Sequence, residues 1–263
     1  MNFIDLIWEL PNALPNDLCD DLVNFFEERE DLQYQGVTAG GVQKDVKDSI
    51  DLKMTSDECP ELDEKLFQVI TKNNVDYVRM IAAALWPSEQ QYFVTDKPMT
   101  DSGYQIQKTT KDGFYRWHND YDGAPVLDTI PAIETPSLEG KWPMVGVNER
   151  LYTFLYYLTD GIEGGRTQFY FNGEIHSVVP QKGKGLWFPA NSLYTHRGEP
   201  VISGEKYIVT GWIYEPNLRR AQGSYGNSKK VREGFGEECM VFKEDDQGIL
   251  THRPVWQLST PLK

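Results

Sequence analysis

The sequence predicts a mainly β protein with supporting helices: a sandwich, jelly roll or barrel preceded by N-terminal helices. Three observations carry this. Two segments near the start have helical period, the chain from Tyr92 onward breaks into short β-rich runs, and turn residues punctuate those runs at regular intervals. Of the 263 residues, 40% are hydrophobic and 13% aromatic, enough for a packed core and too many for a wholly disordered chain.

The elements follow in order. After Pro15-Asn16-Asp17, apolar residues fall at Leu18, Leu22, Phe25 and Phe26, the stripe of an amphipathic helix. A second stripe runs through Leu62, Leu66, Val69, Ile70, Tyr77, Met80, Ile81 and Ala84, predicting one long helix over about 61–85 that Pro87 stops. Between them, Ser49–Met54 reads as an edge strand. Further strands are expected at Tyr104–Gln107, Phe114–His118, Leu151–Leu158, Thr167–Phe171, Ile175–Val179, Gly185–Phe188 and Lys206–Tyr214. Lys111-Asp112-Gly113, Gly164-Gly165, Asn172-Gly173 and Gly183–Gly185 separate them. Residues 121–148 hold four prolines and little periodicity, the mark of a functional lid or a disordered loop. Residues 217–263 are polar and irregular, and read as a tail packed over the body.

Charge narrows the function. Lys+Arg number 26 against 40 Asp+Glu, a formal net charge of −14. Nucleic-acid binding through a basic surface needs clustered cations, so no nucleic-acid partner is expected. An anionic membrane surface is disfavoured for the same reason. No apolar run approaches the roughly 18 residues that span a bilayer, and MNFIDLIWEL lacks the basic start of a signal peptide, so the expected location is cytoplasmic. Cys19, Cys59 and Cys239 form neither a disulfide framework nor a zinc ladder.

Four histidines remain to be weighed. His118 ends an expected strand in Trp117-His118-Asn119-Asp120, and extended chain puts His118 and Asp120 on one face. Two imidazoles and one carboxylate can form a facial triad with open positions, and His196, just before the last long strand, can supply the third donor. H-x-D triplets are common by chance, so metal centre and solvated surface both stay open on this spacing alone. Lys206 lies ten residues after His196 across a glycine-punctuated stretch that suits a hairpin. There it either snorkels to the surface or faces the metal pocket, where its ammonium would neutralise a dicarboxylic co-substrate. His176 follows the Asn172-Gly173 turn and His252 sits in the tail; both read as bystanders. Glu27-Glu28-Arg29-Glu30-Asp31 reads as a solvated helix end.

The residues then disclose a resemblance. Gly113-Phe114-Tyr115-Arg116-Trp117-His118-Asn119-Asp120, Arg150 through Asp160, Gly164-Gly165-Arg166-Thr167-Gln168-Phe169, Gly183–Pro189 and His196 through Trp212 are similar, in order and spacing, to the prolyl 4-hydroxylase-like family of Fe(II)- and 2-oxoglutarate-dependent dioxygenases. Lys47-Asp48-Ser49 also looks like the family's leading region. The resemblance implies a double-stranded β-helix (jelly roll) core over about 91–216, flanked by an N-terminal helical support at 1–90. Together these make one dioxygenase domain, 1–216, with the 217–263 extension packed on it.

It implies that His118, Asp120 and His196 hold Fe(II), and that Lys206 pairs with the distal carboxylate of 2-oxoglutarate. Tyr157 matches the position whose hydroxyl supports that carboxylate, Thr210 and Trp212 line the pocket, and Tyr115 lies near the iron and the substrate mouth. The implied reaction consumes O2, releases succinate and CO2, and hydroxylates an unactivated C–H, with ascorbate as reductant. The implied substrate is a prolyl residue in a peptide or protein; a free amino acid, another side chain, a small metabolite, or a catalytically silent binding module are the other readings. Asp120 favours hydroxylation over halogenation, because related halogenases carry a small residue there. Two positions depart from the family. Lys108-Thr109 stands about where many relatives carry a tyrosine, and Arg166 stands where relatives often have an acidic residue.

Overall fold

The computed structural model describes residues 3–38, 41–54, 58–85, 100–101, 103–120 and 150–214, with three two-residue strands beyond. The expected lid at 121–148, His252 and nearly all of the expected tail lie outside the described residues.

The strands are β1 (Trp8–Leu10), β2 (Gln33–Gln35), β3 (Val37–Thr38), β4 (Gly41–Val42), β5 (Ile50–Met54), β6 (Thr100–Asp101), β7 (Tyr104–Thr109), β8 (Tyr115–His118) and β9 (Arg150–Tyr157). They continue as β10 (Glu163–Gly164), β11 (Thr167–Phe171), β12 (Glu174–Val178), β13 (Gly185–Pro189), β14 (His196–Gly198), β15 (Val201–Ser203) and β16 (Lys206–Tyr214). The short outer strands are β17 (Val231–Arg232), β18 (Val241–Phe242) and β19 (Arg253–Pro254). Two α-helices, α1 (Asn16–Glu28) and α2 (Pro60–Leu85), occupy the expected stripes.

The architecture is a mainly antiparallel jelly roll. Its larger sheet runs β1-β13-β9-β16-β7-β5-β2, and β6 pairs with both β16 and β19; the smaller sheet runs β12-β11-β14-β8. Period-two alternation splits the larger sheet's side chains between two cores. Phe154 and Tyr156 of β9, Val209 and Ile213 of β16 and Ile106 of β7 pack with Leu18, Leu22 and Phe26 of α1 and Leu66 and Ile70 of α2. On the opposite face, Leu155, Tyr157 and Ile208 meet Phe169, Val178 and Tyr194. The helices therefore back one sheet, and the smaller sheet covers the other face. The site lies between the two sheets.

One expectation is corrected. Ser49–Met54 does not form an edge strand: β5 lies between β7 and β2, hydrogen-bonded on both sides. Its partner β2 is three residues long and half exposed, too short to carry a periodic signal.

The paired glycines have a steric cause. Gly164 and Gly165 have φ of +75° and +63°, which L side chains rarely adopt. A Cβ on Gly164 would also sit 2.5 Å from the Pro200 carbonyl oxygen, and one on Gly165 would sit 3.3 Å from Lys206 Cδ. Their absence lets the chain before β15 approach closely and leaves room for the Lys206 stem.

A buried polar junction fastens α2 to the larger sheet. The Tyr156 hydroxyl accepts from Asn73 Nδ2 at 2.8 Å and from Trp187 Nε1 at 3.2 Å. Tyr156→Phe leaves both donors without that acceptor, and is expected to cost about 2 kcal/mol of stability, read as a lower urea midpoint.

Candidate active site

The site begins with an antiparallel pairing. His118 on β8 lies directly opposite His196 on β14, and β11 places Phe169 beside His196 on the other side. The imidazole centroids are 4.3 Å apart. The β8–β14 register then slips between His196 and Gly198, so Arg116 and Trp117 together face Arg197. Such a bulge alters the alternation. Trp117 turns outward, 38% exposed, while Tyr115 and His118, three residues apart, share the cavity side with rings stacked at 3.6 Å.

Both histidines are oriented from behind. His118 Nδ1 lies 2.8 Å from the Arg116 carbonyl oxygen, and His196 Nδ1 lies 3.0 Å from that of Tyr194. A carbonyl only accepts, so each Nδ1 carries a proton, which leaves Nε2 as each ring's donor atom toward a metal. The two Nε2 atoms converge on Asp120, at 3.7 Å from Oδ1 and 3.7 Å from Oδ2 respectively. Those separations exceed hydrogen-bond length but suit three donors around one ion. The donor atoms of His118, Asp120 and His196 lie within 4.8 Å of one another, forming a candidate metal centre.

The electrostatics agree with that donor set. Burial, then His196, holds His118 well below its ordinary value, so the ring is neutral at pH 7. Burial would raise the Asp120 carboxyl, but His196, His118, the Thr153 hydroxyl and Arg150 outweigh it and keep the group ionised. Thr153 Oγ1 donates to Asp120 Oδ2 at 2.7 Å. Arg150 donates to the Asp120 carbonyl at 3.4 Å, and its guanidinium lies 3.8 Å above the Trp212 ring.

Across the cavity, β16 presents Lys206, Ile208, Thr210 and Trp212 along one face. Lys206 is 6% exposed, and its ammonium lies 5.7 Å from the Tyr157 ring centroid. Burial pushes this lysine down to about 8, against the opposing influence of Glu199. It makes no ion pair with a described residue, whereas Glu199 is held by Arg166 through two contacts at 2.6 and 2.8 Å. Arg166, one of the two departures, thus engages the carboxylate that acts electrostatically on Lys206. Thr109, the other departure, pairs in register with Lys206 and borders the cavity.

The remaining site residues are placed as follows. Tyr115, Thr210 and Trp212 line the cavity, and Thr210 donates its hydroxyl to the Phe154 carbonyl at 2.7 Å. Tyr157 is fully buried behind Lys206; its hydroxyl donates to Thr167 Oγ1 at 2.7 Å, and Thr167 borders the cavity in its place. His176 stands apart, 3.9 Å from Glu9. Two groups received no site role from the sequence. Thr153 could have been found, because it shares the period-two face of Leu155 and Tyr157. Lys47 stood out only as part of a segment resembling the family's leading region; it reaches the cavity through a β-bridge to Tyr115 and is 4% exposed, bonded to Asp51 at 2.5 Å.

Comparison with known proteins fits this geometry. Residues 104–214 match the family model described as the 2OG-Fe(II) oxygenase superfamily. The chain is 33% identical over 86 residues to probable prolyl 4-hydroxylase 9 of Arabidopsis thaliana, covering 25% of this chain and 30% of that protein. It is 39% identical over 62 residues to the 2-oxoglutarate and iron-dependent oxygenase domain-containing protein 3 of Rattus norvegicus, covering 22% of this chain and 20% of that protein. It therefore spans less than a third of these relatives. Among solved structures, a Pseudomonas putida prolyl-4-hydroxylase superposes with a TM-score of 0.56 at 16% identity, covering 80% of this chain and 92% of that one. A Trichoplax adhaerens prolyl hydroxylase in complex with a hypoxia inducible factor oxygen degradation domain peptide fragment gives 0.56 at 16% identity, over 84% and 88%. Among the described residues, no helix is long and apolar enough to cross a membrane. Residues 104–214 therefore match the 2OG-Fe(II) oxygenase superfamily model, and the chain is similar to prolyl 4-hydroxylases over a quarter of its sequence and to a solved one in fold.

Proposed function

We propose that this protein is an Fe(II)- and 2-oxoglutarate-dependent hydroxylase acting on a peptide or protein, with a prolyl residue as the target. The observation that carries the reading is the pairing of two complementary features across one cavity: a converging His118/Asp120/His196 donor set and a buried lysine without a carboxylate partner among the described residues. Two imidazoles and one carboxylate are the donor set expected of a non-haem Fe(II) site with open positions. When bound, the iron with 2-oxoglutarate and O2 supplies the oxidising chemistry, giving succinate, CO2 and a hydroxylated C–H.

The chain's own residues divide the remaining tasks. Arg116 and Tyr194 carbonyls fix the histidine tautomers, and the Thr153 hydroxyl steadies the Asp120 carboxylate. Lys206 anchors the distal carboxylate of 2-oxoglutarate, since a buried ammonium pairs strongly with a ligand anion. Lys47, the cavity's other buried lysine, is already neutralised by Asp51 and is not the anchor. Tyr157 supports the same carboxylate through Thr167, whose own hydroxyl proton stays available after it accepts from Tyr157. Thr210 and Trp212 wall the co-substrate, and Tyr115 holds the His118 ring from the mouth side. The prolyl assignment rests on likeness to prolyl hydroxylases. We also place the protein in the cytoplasm, and residues 217–263 as an extension of one domain, 1–216.

The test is direct. Purified protein with Fe(II), ascorbate and 2-oxoglutarate should form succinate slowly without substrate, and a proline-containing peptide should accelerate it and gain 16 Da on proline. Failure to form succinate, with no anaerobic 2-oxoglutarate binding, would instead favour the silent binding module.

A further inference from the structure

The geometry points to Gln107 as a specificity-determining residue whose side-chain carbonyl reads a backbone N–H of a peptide substrate, and this rests on the hydroxylase reading above. One buried group beneath the cavity has no hydrogen-bonding choice. The Asp51 carboxylate is 0% exposed and accepts from Lys47 Nζ, from Ser49 Oγ at 2.8 Å and from Gln105 Nε2 at 3.0 Å. A carboxylate paired with an ammonium only accepts, so the Gln105 amide must turn its nitrogen toward it. That nitrogen also donates to the Tyr34 hydroxyl at 2.9 Å, which commits both of its hydrogens. Gln105 is left with only Oε1 for its other neighbour, and Gln107 Nε2 donates to it at 3.0 Å.

The chain of bonds therefore has a direction. It runs from Gln107 through Gln105 into Asp51, and it decides an orientation that a lone glutamine would leave free. Gln107 lines the cavity, with its nitrogen drawn away along β7 and its Oε1 accepting nothing from the described residues. The cavity is thus offered a fixed acceptor. 2-Oxoglutarate carries two carboxylates and a keto group, all acceptors, and cannot satisfy it. A substrate N–H can. Within a peptide, proline has no N–H, so the donor belongs to a residue flanking the target proline.

The experiment compares two proline-containing probes: acetyl-(Ala-Pro)5-amide, which offers alanine N–H groups, and poly(L-proline), which offers no internal backbone N–H, with KM expressed per proline. The unmodified protein is expected to show a KM for the alanine-containing peptide about tenfold below that for poly(L-proline), one unmade hydrogen bond in a cavity. Gln107→Leu should raise the KM for the first probe about tenfold and leave that for the second within about twofold, abolishing the discrimination. Gln105→Leu, which frees Gln107 to rotate, should erase part of it. A KM for 2-oxoglutarate that stays within about twofold in both variants separates this role from general disruption of the site. Equal KM values for the two probes in the unmodified protein, or discrimination surviving Gln107→Leu, overturn the assignment. Succinate formation with neither peptide hydroxylated overturns the peptide N–H assignment but leaves the oxygenase reading standing. No succinate at all overturns the reading beneath it.

Discussion

Asp120→Ala is expected to weaken metal binding by at least about 100-fold and to abolish succinate formation, while the protein stays folded. The carboxylate is the only anion in the donor set, and both Nε2 atoms aim at it from 3.7 Å. Without it, two imidazoles remain, which hold a divalent cation with neither charge neutralisation nor a third donor. The variant removes a buried charge rather than a packing group, so the fold should survive. Calorimetric titration with Mn(II) under argon measures the loss directly, without relying on turnover. Metal affinity within about threefold of the unmodified protein would remove Asp120 from the centre.

Lys206→Ala is expected to raise the 2-oxoglutarate requirement by about 100-fold, because breaking a buried charge pair costs about 2–5 kcal/mol. Mn(II) affinity should be retained, which distinguishes anchor from ligand. The same residue predicts a pH dependence. Burial holds the free lysine down at about 8, with Glu199 opposing, and the uncharged ring and hydroxyl of Tyr157 lie beside it. Only the protonated form attracts a carboxylate, so 2-oxoglutarate affinity should be level below pH 8 and fall about tenfold per pH unit above it. The linked effect on stability has the opposite sense. The folded, ligand-free protein binds this proton less tightly than the unfolded chain, whose ordinary value is 10.5, so it gains stability as pH rises from about 8 toward 10.5. An affinity independent of pH between 7 and 9.5, measured by anaerobic calorimetry, would sink the assignment.

The sequence was most legible where one periodicity ran long. Leu18, Leu22 and Phe26 marked α1, and the stripe from Leu62 to Ala84 marked α2, because each buries a face against a single sheet. The long strands β9, β11 and β16 read equally well. By contrast, β14 has three residues, and its position depends on pairing with β8 and β11, which no local pattern encodes. The His118–Asp120–His196–Lys206 constellation was legible from its motifs and their family spacing. Tyr157 was matched by position, yet its relation to the cavity runs through Thr167, a contact set by packing. The cluster around Asp51 joins residues 34, 47, 49, 51, 105 and 107 across three strands and a loop. Each member alone reads as an ordinary polar residue.

The two-sheet arrangement has a consequence for the co-substrate itself. The candidate metal donors sit at one sheet and the Lys206 ammonium at the other, and facing sheets pack about 10 Å apart. A diacid held at both ends becomes a strut bridging them. Its length is then gauged by the backbone scaffold, backed by α1 and α2, rather than by any single side chain. Shortening or lengthening the diacid by one carbon would leave one end unmet, so the fold acts as a caliper.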